Sequence, residues 1–96
     1  MSELRFTPEF DKWLAGLRDR EARSRVIIRL HRLQIGNPGE MRALTEGVAE
    51  MKIDYGPGYR VYYTQRGPVL IIVLGGGTKK TQDRDIQVAL ELARTL

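Results

Sequence analysis

Residues 50 to 63, Glu50-Met51-Lys52-Ile53-Asp54-Tyr55-Gly56-Pro57-Gly58-Tyr59-Arg60-Val61-Tyr62-Tyr63, hold the densest set of side chains able to do chemistry. Two alternating runs around a Gly-Pro-Gly turn read as a β-hairpin. Side chains on a strand point to opposite sides in turn, so Met51, Ile53 and Tyr55 share one face with Tyr59, Val61 and Tyr63, and that face is predicted core. The other face carries Glu50, Lys52 and Asp54 from the first strand, with Arg60, Tyr62 and Thr64 from the second. Cations beside a phenol on one sheet surface suit a phosphate-bearing ligand. The hairpin also admits a purely structural reading. If its loop sets Tyr55 opposite Tyr59, Asp54 faces Arg60 as an exposed cross-strand pair contributing about 0.2 to 1 kcal/mol.

Composition removes most other chemistries. The chain has no cysteine and a single histidine, His31. Disulfides, thiolate metal sites and a cysteine nucleophile are excluded, and a histidine metal site or a Ser-His-Asp triad is very hard to build. No metal or cofactor is expected. Gly75-Gly76-Gly77 ahead of Lys79-Lys80 invites comparison with a phosphate-binding loop. That motif requires a second glycine directly before the lysine, whereas the position five residues after Gly75 is Lys80 itself, so the glycines are predicted to be a turned strand exit. The net charge of +4 points to an acidic partner, either nucleic acid or an acidic protein covering the same surface.

Ninety-six residues predict one domain with one core. No apolar run approaches the roughly 20 residues needed to span a bilayer, and Met1-Ser2-Glu3-Leu4-Arg5 does not read as a secretion signal, so a cytoplasmic location without membrane attachment is expected.

The elements that must position the hairpin follow from periodicity. Leu4 and Phe6 alternate as in a short strand, and Thr7-Pro8 reads as an N-cap with proline at the first helical position. Phe10, Trp13, Leu14 and Leu17 then predict a buried helical stripe fading near residues 18 to 20. A second helix has Val26, Ile27, Leu30 and Leu33 on its apolar side and Arg25, Arg29 and Arg32 aligned on another, ending at Gly36-Asn37-Pro38-Gly39. Residues 40 to 48 are expected to be loop, with strands at 50–55 and 59–66. Val69 to Leu74 is an unbroken apolar run typical of a strand buried on both faces, predicted as the centre of the sheet. Ile86, Ala89, Leu90 and Ala93 place a last helix from about Thr81. The expected fold is α+β in the order β-α-α-β-β-β-α, a small, mainly antiparallel sheet with a helical hairpin on one face and the C-terminal helix at its edge.

Several separated blocks resemble one family. Phe10-Asp11-Lys12-Trp13-Leu14, the Gly36-Asn37-Pro38-Gly39 turn, Tyr55-Gly56-Pro57-Gly58-Tyr59-Arg60-Val61-Tyr62 and Gly76-Gly77-Thr78-Lys79-Lys80-Thr81-Gln82 with Asp85-Ile86 look like the HigB-like "addiction module killer" branch of the RelE/ParE toxins. The resemblance implies a RelE-like fold and a type II toxin–antitoxin toxin that cuts mRNA on the ribosome and is silenced by a cognate antitoxin.

Such cleavage, by attack of a ribose 2′-hydroxyl on the adjacent phosphate, needs a base, cations for the crowded phosphorane and an acid for the leaving 5′-oxygen. The resemblance carries over directly to Arg60, whose guanidinium fork suits two phosphate oxygens. Lys52 matches a strand lysine of RelE and, among like charges, is a candidate for proton transfer as well as phosphate contact. Glu50 and Asp54 are the alternative bases. Lys79, Lys80 and Gln82 stand where the family's second basic contact lies, and Arg25, Arg29 and Arg32 would dock a ribosome-bound toxin on RNA. The chain departs from the pattern at the general acid: Ile86 stands near the tyrosine of RelE's C-terminal segment, and no histidine lies outside position 31. Tyr62 shares the hairpin face and is the candidate substitute. The ParE branch, which poisons DNA gyrase on the same fold without this catalytic set, is the alternative, with an inert binding module of that fold as the third reading.

Overall fold

The computed structural model describes residues 1–96. Chain order is β1 (Glu3–Phe6), α1 (Pro8–Ala15), α2 (Arg20–Gln34), β2 (Met41–Ala43), β3 (Val48–Ile53), β4 (Tyr59–Arg66), β5 (Leu70–Thr78), a single 3-10 turn (Lys79–Thr81) and α3 (Gln82–Arg94). The five strands form one mixed sheet in the order β1-β5-β4-β3-β2, with β1 parallel to β5 and every other pair antiparallel. The α+β class and the succession of elements agree with the expectation, extended by one strand. β2 occupies the segment expected to be loop. Met41-Arg42-Ala43 is too short to show alternation, and all three residues are exposed, so only its backbone ladder to β3 marks it as a strand.

Helices cover both faces of the sheet. The α1–α2 hairpin buries Phe10, Ala22, Val26, Leu30 and Leu33 against Met51, Ile53, Tyr59, Val61, Tyr63, Ile71 and Val73. The predicted core face of the β-hairpin is therefore the observed one, with Tyr55 at its margin. On the opposite face α3 packs Ala89, Leu90 and Ala93 against Val48, Tyr62 and Leu74. This corrects the placement of α3 at the edge. The apolar stripe of α3 needs an apolar surface to bury, and the hairpin's second face supplies one around Tyr62.

The helix starts follow local chemistry. The Thr7 hydroxyl accepts the Phe10 N–H at 3.1 Å and donates to the Leu74 carbonyl at 2.6 Å, capping α1 and fastening it to the sheet. Asp19 caps α2 by accepting from Glu21 and Ala22. α1 stops at Ala15, so Leu17 packs from the connection between the helices, and Ile27 lies on the exposed rim of α2.

The glycine run corrects two further expectations: the glycines belong to β5, and the sheet's middle strand is β4. A bulge between Tyr62 and Tyr63 leaves Leu74 outside the ladder, which is what frees its carbonyl for Thr7. The bulge also resets the alternation of β5. Gly76 lies beneath the Trp13 ring and Gly77 beneath the Asp85 carboxylate, and a Cβ at either would overlap that neighbour. Backbone contact from both sides, and no need for a turn, explains these glycines.

Gly76→Ala is expected to destabilise the fold by about 1 to 3 kcal/mol, because the rigid indole must shift. Gly75→Ala, with no atom beyond its chain neighbours within 4 Å of the added carbon, should stay within about 0.5 kcal/mol of wild type in the same urea titration.

Candidate functional site

Where α3 begins, its first turn leaves the end of the sheet open, and a cleft of about 310 Å³ is lined there by Glu40, Met41, Arg42, Glu50, Lys52, Arg60 and Gln82. Two rows of side chains cross the strands beneath it. In one, Lys52 on β3 faces Arg60 on β4, which faces Gly77 on β5; in the other, Arg42 on β2 faces Glu50 on β3, which faces Tyr62 on β4. The structure thus gathers four expected residues, Lys52, Arg60, Glu50 and Gln82, and adds three from the segment expected to be loop, Glu40, Met41 and Arg42.

Arg60 is only 6% exposed, yet it has no carboxylate partner. Its Nη1 donates to the Gly58 carbonyl at 2.7 Å, and its Nε is buried without a partner. The same carbonyl accepts the Lys79 N–H at 2.9 Å, so the hairpin turn sets both cations. Gly58 adopts φ +78°, and a Cβ there would lie 2.8 Å from Arg60 Nη1. Only glycine meets both demands. Lys52 Nζ lies 3.8 Å from Glu40 Oε2 as an exposed pair.

Glu50, 4% exposed, is the organising anion. Oε1 accepts from Arg42 Nε at 2.8 Å and Oε2 from Gln82 Nε2 at 2.9 Å. Burial by itself would raise its pKa, but these hydrogen bonds and the Arg42 charge together hold the carboxyl below its ordinary value. A carboxylate so engaged is a weak base, and its role is to position.

Other candidates are placed elsewhere. Tyr62 is fully buried under α3, and its hydroxyl lies near Glu50 without closing a hydrogen bond of ordinary geometry. Burial, with the Glu50 charge adding to it, pushes this phenol far above its usual range. It does not reach the cleft, which removes it as the general acid of this conformation. Asp54 is corrected as well. The ladder pairs Lys52 with Arg60 and ends at Ile53–Tyr59, so Asp54 falls outside it, exposed, in a depression shared with Arg25, Arg29 and Arg32 beside α2. It neither pairs with Arg60 nor serves the cleft as base.

The arginine row of α2 does not act as a unit. Arg29 donates to the carbonyls of Lys52, Pro38 and Glu40 at 2.6, 3.0 and 3.0 Å, clasping α2 to β3 and the connection before β2. Burial, reinforced by the Arg32 charge, lowers its pKa, and although its Nε is buried without a partner, both Nη groups are engaged by carbonyls inside the fold, so it is structural and not an RNA contact. Arg25 stacks over the Tyr55 ring at 4.7 Å, while Arg32 is exposed. Lys79 and Lys80 are exposed beside the cleft in an adjoining depression that also has Gln82 in its wall. His31 lines a separate apolar groove with Phe6, Phe10 and Ile27. No group of three or more His, Asp or Glu residues has the arrangement to hold a metal ion.

Asp85 belongs to the tail block of the family resemblance, but its residue type and spacing gave it no role. It accepts the Thr81 hydroxyl at 2.5 Å and occupies the space above Gly77. The tail block thereby gains a physical account: Gln82 holds Glu50, Asp85 fastens the turn over β5, and Ile86 packs onto the core beneath α3.

Fold and cleft together define a small α+β protein with helices on both faces of a mixed sheet and a cation-lined cleft at its open end. The chain is 43% identical over 94 residues to a Haemophilus influenzae protein named only "Uncharacterized protein", the match taking in 98% of this chain and 95% of the other, and it belongs to that protein's family. No family model matches it. No helix is long and apolar enough to cross a membrane.

The lowered Glu50 pKa fixes the sign of a pH effect. Its pairing contributes stability above the unfolded carboxyl value, near 4.5, and that contribution is lost as pH falls through the lower folded value. Urea midpoints measured downward from pH 6 should fall more steeply below about 4.5 for wild type than for Glu50→Gln.

Proposed function

We propose that this protein is the toxin of a type II toxin–antitoxin pair, of the HigB-like branch of the RelE/ParE superfamily, acting as a ribosome-dependent mRNA endoribonuclease. The observation that carries the reading is the Lys52–Arg60 row: two cations face each other at the open end of the sheet, both line the cleft, and Arg60 has no carboxylate partner. A buried guanidinium without a carboxylate is costly unless an anion completes it, and a phosphate oxygen fits that need.

In this reading Arg60 and Lys52 stabilise the phosphorane, with Lys79 and Lys80 gripping the neighbouring backbone. With Tyr62 enclosed and Glu50 engaged, the proton-transfer pair at the cleft is Glu40 and Lys52. The Glu40 carboxylate takes the 2′-hydroxyl proton, the 2′-oxygen forms its bond to phosphorus, and the P–O5′ bond breaks as the Lys52 ammonium gives its proton to the leaving 5′-oxygen. The products are a 2′,3′-cyclic phosphate and a 5′-hydroxyl end. An antitoxin with an acidic segment would silence the toxin by covering these cations.

One observation favours a second reading. No phenol or imidazole reaches the cleft, because Tyr62 lies under α3 and His31 lines another groove. A ParE-like gyrase inhibitor, or an inert binding module of the same fold, would need the cationic surface without an acid–base set.

Induction of wild type and Arg60→Ala without antitoxin, with mRNA 5′ ends mapped during translation, separates these readings. Cuts within translated codons that fall at least a hundredfold in Arg60→Ala are expected for the nuclease. Growth arrest with intact mRNA and broken or unsupercoiled DNA would transfer the function to gyrase, and harmless expression would leave only the binding module.

A further inference from the structure

We propose that Arg42 is a second phosphate contact of the cleft, holding the phosphate next to the scissile one, and that Glu50 is the residue that positions it. This rests on reading the cleft as an RNA site. Arg42 joins the buried Glu50 through Nε alone, at 2.8 Å. Its Nη1 and Nη2 make no hydrogen bond within the chain, and its side chain is 60% exposed on the cleft wall. An arginine serving only to neutralise Glu50 would turn its fork onto both carboxylate oxygens; here the second oxygen is taken by Gln82 from α3. Glu50 therefore fixes the stem of Arg42 and leaves the outer edge of its fork to face a ligand.

Spacing gives the ligand. Arg42 on β2 lies two residues along and one strand across from Lys52, and two strands across from Arg60, backbone separations of roughly 8 and 12 Å. Taken up by two long side chains, the Arg42–Lys52 separation spans one phosphate step on an extended single strand. Arg60 with Lys52 takes one phosphate and Arg42 the next, so the cleft reads a single-stranded backbone at two points. Because these contacts touch no base, they set register and not sequence.

The test is fluorescence anisotropy with a ten-nucleotide, fully 2′-O-methylated single-stranded RNA, which binds without being cut, titrated across a range of salt concentrations. Arg42→Ala should weaken binding about tenfold and lower the slope of log K against log salt by about 0.7, the value for one fewer neutralised phosphate on a single strand. Glu50→Gln, nearly isosteric, should weaken binding in the same direction, and the double variant should be no weaker than Arg42→Ala. Arg42→Lys should recover the slope but only part of the affinity, since a lysine keeps the charge without the fork. Far-ultraviolet circular dichroism and thermal melts establish that each variant is folded. If Arg42→Ala binds with unchanged affinity and slope while Arg60→Ala does not bind, the assignment of Arg42 is overturned and the nuclease reading stands. If folded wild type fails to bind the RNA at low salt, the RNA reading of the cleft and this inference fall together.

Discussion

The Glu50 carboxylate is the interaction on which the open end of the molecule depends. A buried carboxylate costs several kcal/mol unless its lone pairs are satisfied, and a charge-assisted hydrogen bond returns about 1.5 to 3 kcal/mol. Glu50 meets that condition with donors from two different elements, Arg42 on β2 and Gln82 at the start of α3, while the Tyr62 ring on β4 packs beside it. The edge strand, the central strands and the last helix thus converge on one anion. Its charge also shapes the site. With both oxygens taken and its negative charge balanced by Arg42, it leaves the neighbouring Lys52–Arg60 row without an internal counter-ion of comparable burial.

A second constraint is steric and comes from β5. Strand residues on a sheet covered by helices on both faces normally carry the largest apolar side chains, as Ile71, Val73 and Leu74 do. Past the bulge, the strand loses its side chains so that Trp13 can close from one side and Asp85 from the other. The Asp85 contact determines how near α3 approaches the cleft, and the Thr81–Asp85 bond fixes the turn that carries Lys79 and Lys80. The other end of α3 is held by Arg94, whose Nε and Nη2 donate to the Glu46 carboxylate in the β2–β3 turn. Fastened at both ends, α3 encloses Tyr62 and leaves Arg60 within reach of the cleft.

The helical hairpin contributes through backbone chemistry. Arg29 gathers three carbonyls that the short β2 edge and its approach would otherwise leave poorly satisfied, and the connection before β2 is closed over it at Gly39. Glu40 and Arg42 take their positions in the cleft from that closure. The helix most basic in sequence therefore acts on the site from behind, through one arginine, while Arg25 serves the Tyr55 edge of the core.

Much of this was legible in the residues themselves because it depends on local periodicity and capping. The alternation of Met51, Ile53, Tyr59, Val61 and Tyr63, the Thr7-Pro8 start of α1, the apolar repeat of α2 and α3, and the grouping of Lys52 with Arg60 on one hairpin face are consequences of nearest-neighbour geometry. What tertiary structure alone decided involves partners distant in sequence. The three-residue β2 has no pattern of its own and exists through pairing with β3. The register ends at Ile53–Tyr59 and so moved Asp54 away from Arg60. Gly75 to Gly77 looked like a turn because the missing side chains of Gly76 and Gly77 are explained only by Trp13 and Asp85, brought in from other elements. Tyr62 looked available because an alternating strand does not reveal which of its faces a later helix will cover. Residue types and strand parity determined which groups could share a surface; the packing of α3 and the pairing of β2 decided which of them reach a ligand, since burial and register are set by contacts that no local spacing encodes.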